Sequence, residues 1–301
     1  MRFVLALCFI ASLPGIAVAQ APAPPKPAPQ KPPAVAVHYG HNAVVGRTFT
    51  HDGLKLYYEV YGVGEPLLLV HGNGGSIRDF AAQIEYFRKR YKVIAMDSRD
   101  QGNSADSPDA ITYEKMTDDL AALLDHLNVG PVNVLGWSDG GIEALLLGMR
   151  HPAKVKKIAA MAANLNPTDQ AVAPDVIGLV KTMLQSITAD TPAARRERKV
   201  AAMLLEEPHI EAKSLEAITA PTLVLAGDHD LIRLEHIVEI YNHVPNGQLA
   251  IFPNATHMVP FDDPGTFNTT VDRFFRAPFV KKDRIDDTMK SLEKLRAGQM
   301  H

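Results

Sequence analysis

Three residue types in one order along the chain point to covalent hydrolytic chemistry. The first is Ser138, set in Gly136-Trp137-Ser138-Asp139-Gly140-Gly141, which has the form Gly-x-Ser-x-Gly. A serine hydroxyl is a weak nucleophile until a base takes its proton and a third group holds that base. Downstream the chain supplies both, as acids in Gly227-Asp228-His229-Asp230 and a histidine in Asn254-Ala255-Thr256-His257. Either Asp228 or Asp230 is able to hold an imidazole. The tetrahedral intermediate of such chemistry also needs backbone donors. The backbone amides of Asp139 and of Asn73, in the glycine-rich run His71-Gly72-Asn73-Gly74-Gly75-Ser76, are the candidates for that oxyanion hole.

These residues need elements to position them. Pro131 to Leu135 reads as a short buried strand and Ile142 to Met149 carries apolar residues at helical spacing, so Ser138 falls in the tight turn between them. A strand that reverses into a helix within a few residues strains the nucleophile's dihedrals, and Gly136 and Gly140 remove side chains that would collide. Apolar strands at Pro66–Val70, Lys92–Met96, Val155–Ala162, Pro221–Ala226 and Gln248–Phe252 alternate with helical patterns at Phe80–Tyr91, Ile111–Leu127, Leu231–His243 and Pro264–Phe275. That rhythm predicts a mostly parallel, doubly wound α/β sheet. Two further strands joined at His51-Asp52-Gly53 precede it, and the serine, acid and histidine all follow strand ends. They therefore meet at the carboxyl edge, where open sheets of this kind bind ligands. From residue 164 to about 213 the strand rhythm stops. Helical stretches at Val176–Ile187 and Arg196–Leu205 predict a helical lid, with Val176, Ile177, Val180, Met183, Leu184 and Ile187 as its apolar stripe.

The motifs His71-Gly72-Asn73-Gly74, Asp97-Ser98-Arg99 with Gly102 and Ser104, the Ser138 elbow, Gly227-Asp228-His229-Asp230 and His257 together resemble the α/β-hydrolase superfamily, from about Val44 to Phe275. The Gly-Trp-Ser-Asp-Gly-Gly elbow is similar to that of the valacyclovir-hydrolase-like carboxylesterases. The resemblance implies an α/β-hydrolase fold with a small helical lid and no cofactor. It assigns Ser138 as nucleophile, His257 as base and Asp230 as acid, since the superfamily acid usually stands second in a Gly-Asp-x-Asp run. Asp100 departs from it, standing where related sequences usually carry glycine. The function expected is a serine hydrolase, a carboxylic-ester hydrolase acting on a small-molecule ester, lactone, thioester or activated amide. A haloperoxidase-like perhydrolase on the same triad, or a non-catalytic ligand-binding protein of this fold, are the alternatives. Asp139 and Trp137 are candidate substrate contacts, Asp139 through pairing with a cationic substrate group. His71 is expected to shape its loop, and His229, His236 and His243 to lie on the surface.

Composition narrows the field. With a net charge of −3 and a pI near 6.5 in 301 residues, the chain has no electrostatic footprint for nucleic acid. No metal-ligand spacing occurs, so no metal is expected. Gly72-Asn73-Gly74 after a strand, with Asp97 ending the next, suggests a dinucleotide fold, but Ile77 replaces the third glycine. Residues 1–19 carry Arg2, an apolar run and Ala17-Val18-Ala19, the form of a cleavable secretory signal peptide, and Pro14-Gly15 breaks the run too early for a membrane span. A periplasmic or secreted location follows. Removing that leader removes Cys8, the one cysteine, so no disulfide is expected. Residues 20–36 read as a proline-rich linker, 37–278 as the catalytic domain and 279–301 as a charged tail helix.

Overall fold

The predicted alternation closes into one eight-stranded sheet in the computed structural model, which describes residues 37–297. The expected leader, the linker and the last residues of the tail lie outside the described residues. The strands are β1 (Arg47–His51), β2 (Leu54–Tyr61), β3 (Glu65–Val70), β4 (Tyr91–Met96), β5 (Val132–Trp137), β6 (Val155–Met161), β7 (Thr222–His229) and β8 (Gly247–Thr256). Their spatial order is β1-β2-β4-β3-β5-β6-β7-β8. The β1–β2 and β2–β4 pairs are antiparallel and the rest parallel. Leu67, Leu68, Leu69 and Val70 are buried, as both faces of a helix-covered parallel strand require. The strand order reverses at β3, which pairs with β4 on one side and β5 on the other. A crevice opens outside the carboxyl ends at such a reversal. The Asn73 loop leaves β3 there, and the Ser138 elbow leaves β5 beside it.

Helices α1 (Ala81–Phe87), α2 (Tyr113–His126), α3 (Asp139–Arg150), α6 (Leu234–His243), the short α7 (Val259–Asp262) and α8 (Pro264–Arg276) accompany the sheet. α4 (Pro174–Ser186) and α5 (Pro192–Glu206) form the lid between β6 and β7, each begun by a proline at its first turn. α9 (Arg284–Arg296) has no buried residue.

Several boundaries differ from the sequence reading, and those around Tyr91 and at the ends of β7 and β8 bear on the site. The stretch expected as one helix from Phe80 to Tyr91 is a 3₁₀ turn (Ile77–Phe80) followed by α1, and Tyr91 already belongs to β4. Pairing of Tyr91 with Glu65, and a 3.0 Å hydrogen bond from its hydroxyl to Asp272, hold it in the sheet. β7 and β8 run past their expected ends, and the last pair in register is His229 with Thr256. Asp230 and His257 directly follow these two strand ends, so the pairing itself brings the acid and the histidine side by side.

Candidate active site

The elbow is strained in the way its spacing implies. Ser138 adopts φ 58° and ψ −120°, a left-handed conformation that costs a non-glycine residue on the order of 1–3 kcal/mol. Its neighbours leave no room for side chains. A Cβ on Gly136 would lie 1.9 Å from the Gly140 carbonyl oxygen, and one on Gly140 would lie 2.0 Å from that of Val70. The Ser138 N–H donates to Met161 O at 2.8 Å, tying the turn to the end of β6.

Asp230 faces His257, with Oδ1 2.7 Å from the ring Nδ1. The Asp230 side chain is fully buried and also accepts from the backbone N–H groups of Ile232 (3.1 Å) and Gly227 (3.2 Å). Asp228 points elsewhere. Its carboxylate accepts from the N–H groups of Asn254 and Ala255, both at 2.9 Å, and these bonds hold its carboxyl below the usual carboxylate range. Asp228 thus pins the end of β8, from which His257 follows. The indole N–H of Trp137 donates to the His257 carbonyl at 2.9 Å and its ring packs edge-on against Phe261. Trp137 therefore buttresses the histidine as well as lining the site.

Ser138, His257, Asn73, Asp139 and Trp137 share the wall of one cavity of about 810 Å³, at the large end for small-molecule sites. Neither the Asn73 nor the Asp139 backbone N–H has a hydrogen-bond partner among the described residues. Two donors without partners beside a strained serine are what a developing oxyanion requires. His71 is buried and shapes its loop: Ser98 N–H donates to Nε2 at 3.0 Å, which leaves Nδ1–H to donate to Gly72 O at 2.8 Å.

A family model described as alpha/beta hydrolase fold matches residues 65–208. The serine hydrolase BPHL of Mus musculus is 27% identical over 264 residues, covering 78% of this chain and 87% of the relative. An (E)-2-((N-methylformamido)methylene)succinate hydrolase of Acinetobacter baylyi is 27% identical over 239 residues, covering 70% and 90%. Among solved structures, MGS-M2, an alpha/beta hydrolase enzyme from a Medee basin deep-sea metagenome library, aligns with TM-score 0.67 at 21% identity, covering 79% of this chain and all of that one. The chain has the α/β-hydrolase fold, and its similarity to hydrolases of that fold extends over most of its length. It is a hydrolase, and no helix among its described residues is long and apolar enough to cross a membrane.

Several side chains of this α/β hydrolase sit differently from the sequence reading. The Asp139 carboxylate is buried and occupied by internal donors, Tyr113 Oη–H at 2.8 Å and Asn73 Nδ2–H at 2.9 Å. Burial pushes its carboxyl up while those two bonds pull it back. Asp97, the acid that suggested a dinucleotide fold, is likewise buried and occupied by Ile77 N–H (2.8 Å) and Asn103 N–H (2.7 Å). His236 is not on the surface: it is 3% exposed, accepts from Leu165 N–H at 2.9 Å, and burial lowers its pKa. Asp100 keeps the left-handed conformation (φ 61°) that glycine would adopt, which Asp tolerates better than most residues. Its carboxylate pairs with Lys199 on α5 at 2.8 Å and accepts from Ser107 N–H at 3.1 Å. The non-glycine residue thus fastens the lid to the loop after β4.

The lid stripe does not pack into the core. No residue of α4 is buried, and Val176, Ile177, Leu179, Val180 and Met183 line the cavity instead. Tyr113 and the Val200 carbonyl, both part of the site's hydrogen bonding, carried no signal in the sequence. A tyrosine at the start of an amphipathic helix reads only as core.

Proposed function

We propose that this α/β hydrolase is a serine hydrolase that cleaves a small carboxylic ester, or the related lactone, thioester or activated amide, through an acyl-enzyme. The observation that carries the reading is the shared cavity. It holds a strained Ser138, His257 bonded through Nδ1 to Asp230 at 2.7 Å, and two backbone N–H groups without partners. With Nδ1 engaged by Asp230, Nε2 is the nitrogen free to take a proton. As Ser138 Oγ attacks the carbonyl carbon, His257 takes the hydroxyl proton and the carbonyl oxygen, now negative, lies against the Asn73 and Asp139 amides. Collapse expels the alcohol, which leaves with the proton from His257. Water then attacks the acyl carbon, giving its proton to His257, and collapse breaks the Ser138 Oγ–acyl bond, returns that proton to Oγ and frees the acid.

The apolar wall supplied by α4 and α5 favours substrates with an apolar acyl or alcohol group. Export by way of the 1–19 leader is part of this reading, supported by Ala17-Val18-Ala19, and N-terminal sequencing of the protein from cell fractions tests it: a start at Gln20 outside the cytoplasm is expected. For the chemistry, the mature protein and Ser138→Ala are treated with a fluorophosphonate probe and a panel of nitrophenyl esters. Labelling and turnover in the parent, both absent from the variant, are expected. A folded parent that neither labels nor turns over any ester sinks the proposal in favour of a ligand-binding role.

A further inference from the structure

The Asn73 side chain is held from two sides. Its Nδ2 donates one hydrogen to Asp139 Oδ2 at 2.9 Å and the other to the carbonyl of Val200, in the middle of lid helix α5, also at 2.9 Å. Asp139 is itself 2% exposed and anchored through Oδ1 by the Tyr113 hydroxyl at 2.8 Å. Burial, then the Asp139 carboxylate, raise the Tyr113 phenol well above its ordinary pKa, so it stays a donor. Asn73 stands between Gly72 and Gly74-Gly75, with Gly74 at φ 66°. Glycines on both sides give this stretch little conformational preference of its own. The Asn73 side chain is the anchor that a backbone donor at its tip would need.

We propose that the Asp139 side chain is a positioning residue, which grips the Asn73 side-chain amide and so fixes the Asn73 backbone N–H as the second oxyanion donor, with lid helix α5 holding the same amide from the other side. The inference rests on the serine-hydrolase reading. It replaces the role the sequence suggested for Asp139, because both of its oxygens already accept from internal donors, the buried Tyr113 hydroxyl and the half-buried Asn73 amide, and a cationic substrate group would have to displace one. It also joins the lid to the chemistry: moving α5 away releases one hydrogen of the amide that aims the donor loop.

Asp139→Asn separates the two roles. Asparagine keeps an oxygen to accept from Asn73 and turns its own amide to the Tyr113 oxygen, but carries no charge. Loss of an oxyanion donor typically lowers kcat by about 10²–10³, and a loosened one is expected to lose less, about 10- to 100-fold. Asp139→Ala should therefore lower kcat by about 10- to 100-fold on neutral and cationic esters alike with KM changed less than about twofold, and Asp139→Asn should restore kcat to within about threefold of the parent. A loss confined to KM for cationic esters, equal in both variants, overturns the proposal, as does a parent-like kcat in Asp139→Ala. A second measurement does not depend on turnover. In ¹⁵N-labelled Ser138→Ala protein, the two side-chain amide hydrogens of Asn73 should exchange slowly with solvent, remain slow when Asp139→Asn is added and become fast with Asp139→Ala. Fast exchange with Asp139 intact, or slow exchange with alanine there, overturns the grip. A parent without Ser138-dependent turnover sinks the serine-hydrolase reading alone, and the exchange rates still decide whether Asp139 holds Asn73.

Discussion

Gly136→Ala adds one methyl group at the place where β5 turns into α3. Its Cβ would lie 1.9 Å from Gly140 O and 2.3 Å from Gly140 C, both backbone atoms, where ordinary contact begins at 3.4 Å. Closing that deficit of about 1.5 Å requires the elbow backbone to move, because no flexible side chain is there to yield. The atoms that must move flank Ser138 and the Asp139 N–H. Overpacking typically costs about 1–3 kcal/mol, and a misplacement of about 1 Å at a reacting centre costs about 10²-fold in rate. The expected result is a melting temperature lowered by several degrees, at roughly 2–4 °C per kcal/mol for a domain of this size, and fluorophosphonate labelling slowed at least about 10²-fold. Gly130→Ala is the control, since a Cβ there meets nothing within 4 Å. The assay is thermal denaturation by circular dichroism beside probe labelling and ester kinetics on the three proteins. A Gly136→Ala protein that melts and labels like Gly130→Ala refutes the argument that contact at this glycine sets the elbow.

Asp230→Asn should lower kcat by about 10³–10⁴ at neutral pH, because the wrong ring tautomer is then favoured. Asp228→Asn, which touches the end of β8 and not the imidazole, should lower it less than about tenfold, and equal losses in steady-state kinetics would show that the two acids share the role. Glu143, one turn along α3 from Asp139, is fully buried, and neither carboxylate oxygen has a partner among the described residues. Burial, then Asp139 and Asp119, push its carboxyl well above the ordinary 4.5. The folded protein keeps that proton at a pH where the unfolded chain has released it, so stability falls as pH rises above about 4.5. Glu143→Gln lacks this loss, and its melting temperature relative to the parent should climb between pH 4 and pH 8; a flat difference would show that Glu143 ionises at its usual value.

Much of the site was legible because its chemistry constrains residue type at short range. The elbow needs glycine two before and two after the serine, since a side chain at either position strikes backbone, and that pattern survives in any reading of the chain. Strand ends were legible from apolar runs such as Leu67 to Val70, and they set which loops share an edge. His236 was misjudged because its helix presents one face to Leu165, a contact 71 residues away that no local pattern records. Tyr91 was drawn from helix into strand by pairing with Glu65, for the same reason. The choice between Asp228 and Asp230 turned on where β7 and β8 fall in register. Side chains two residues apart on one strand end receive different partners only once the neighbouring strand is in place.

The order of serine, acid and histidine, the alternation that winds a parallel sheet and the break that inserts a lid are properties of the sequence by itself. They depend on residue type and period, which are local. The use of the Asp139 carboxylate, the lid stripe as cavity wall rather than core, and the pairing of Asp100 with Lys199 across 99 positions were decided only by the tertiary structure. A polar side chain takes whichever donors the packed chain brings within about 3 Å, and an apolar one buries against whichever surface arrives. Neither outcome is written in the spacing of its neighbours.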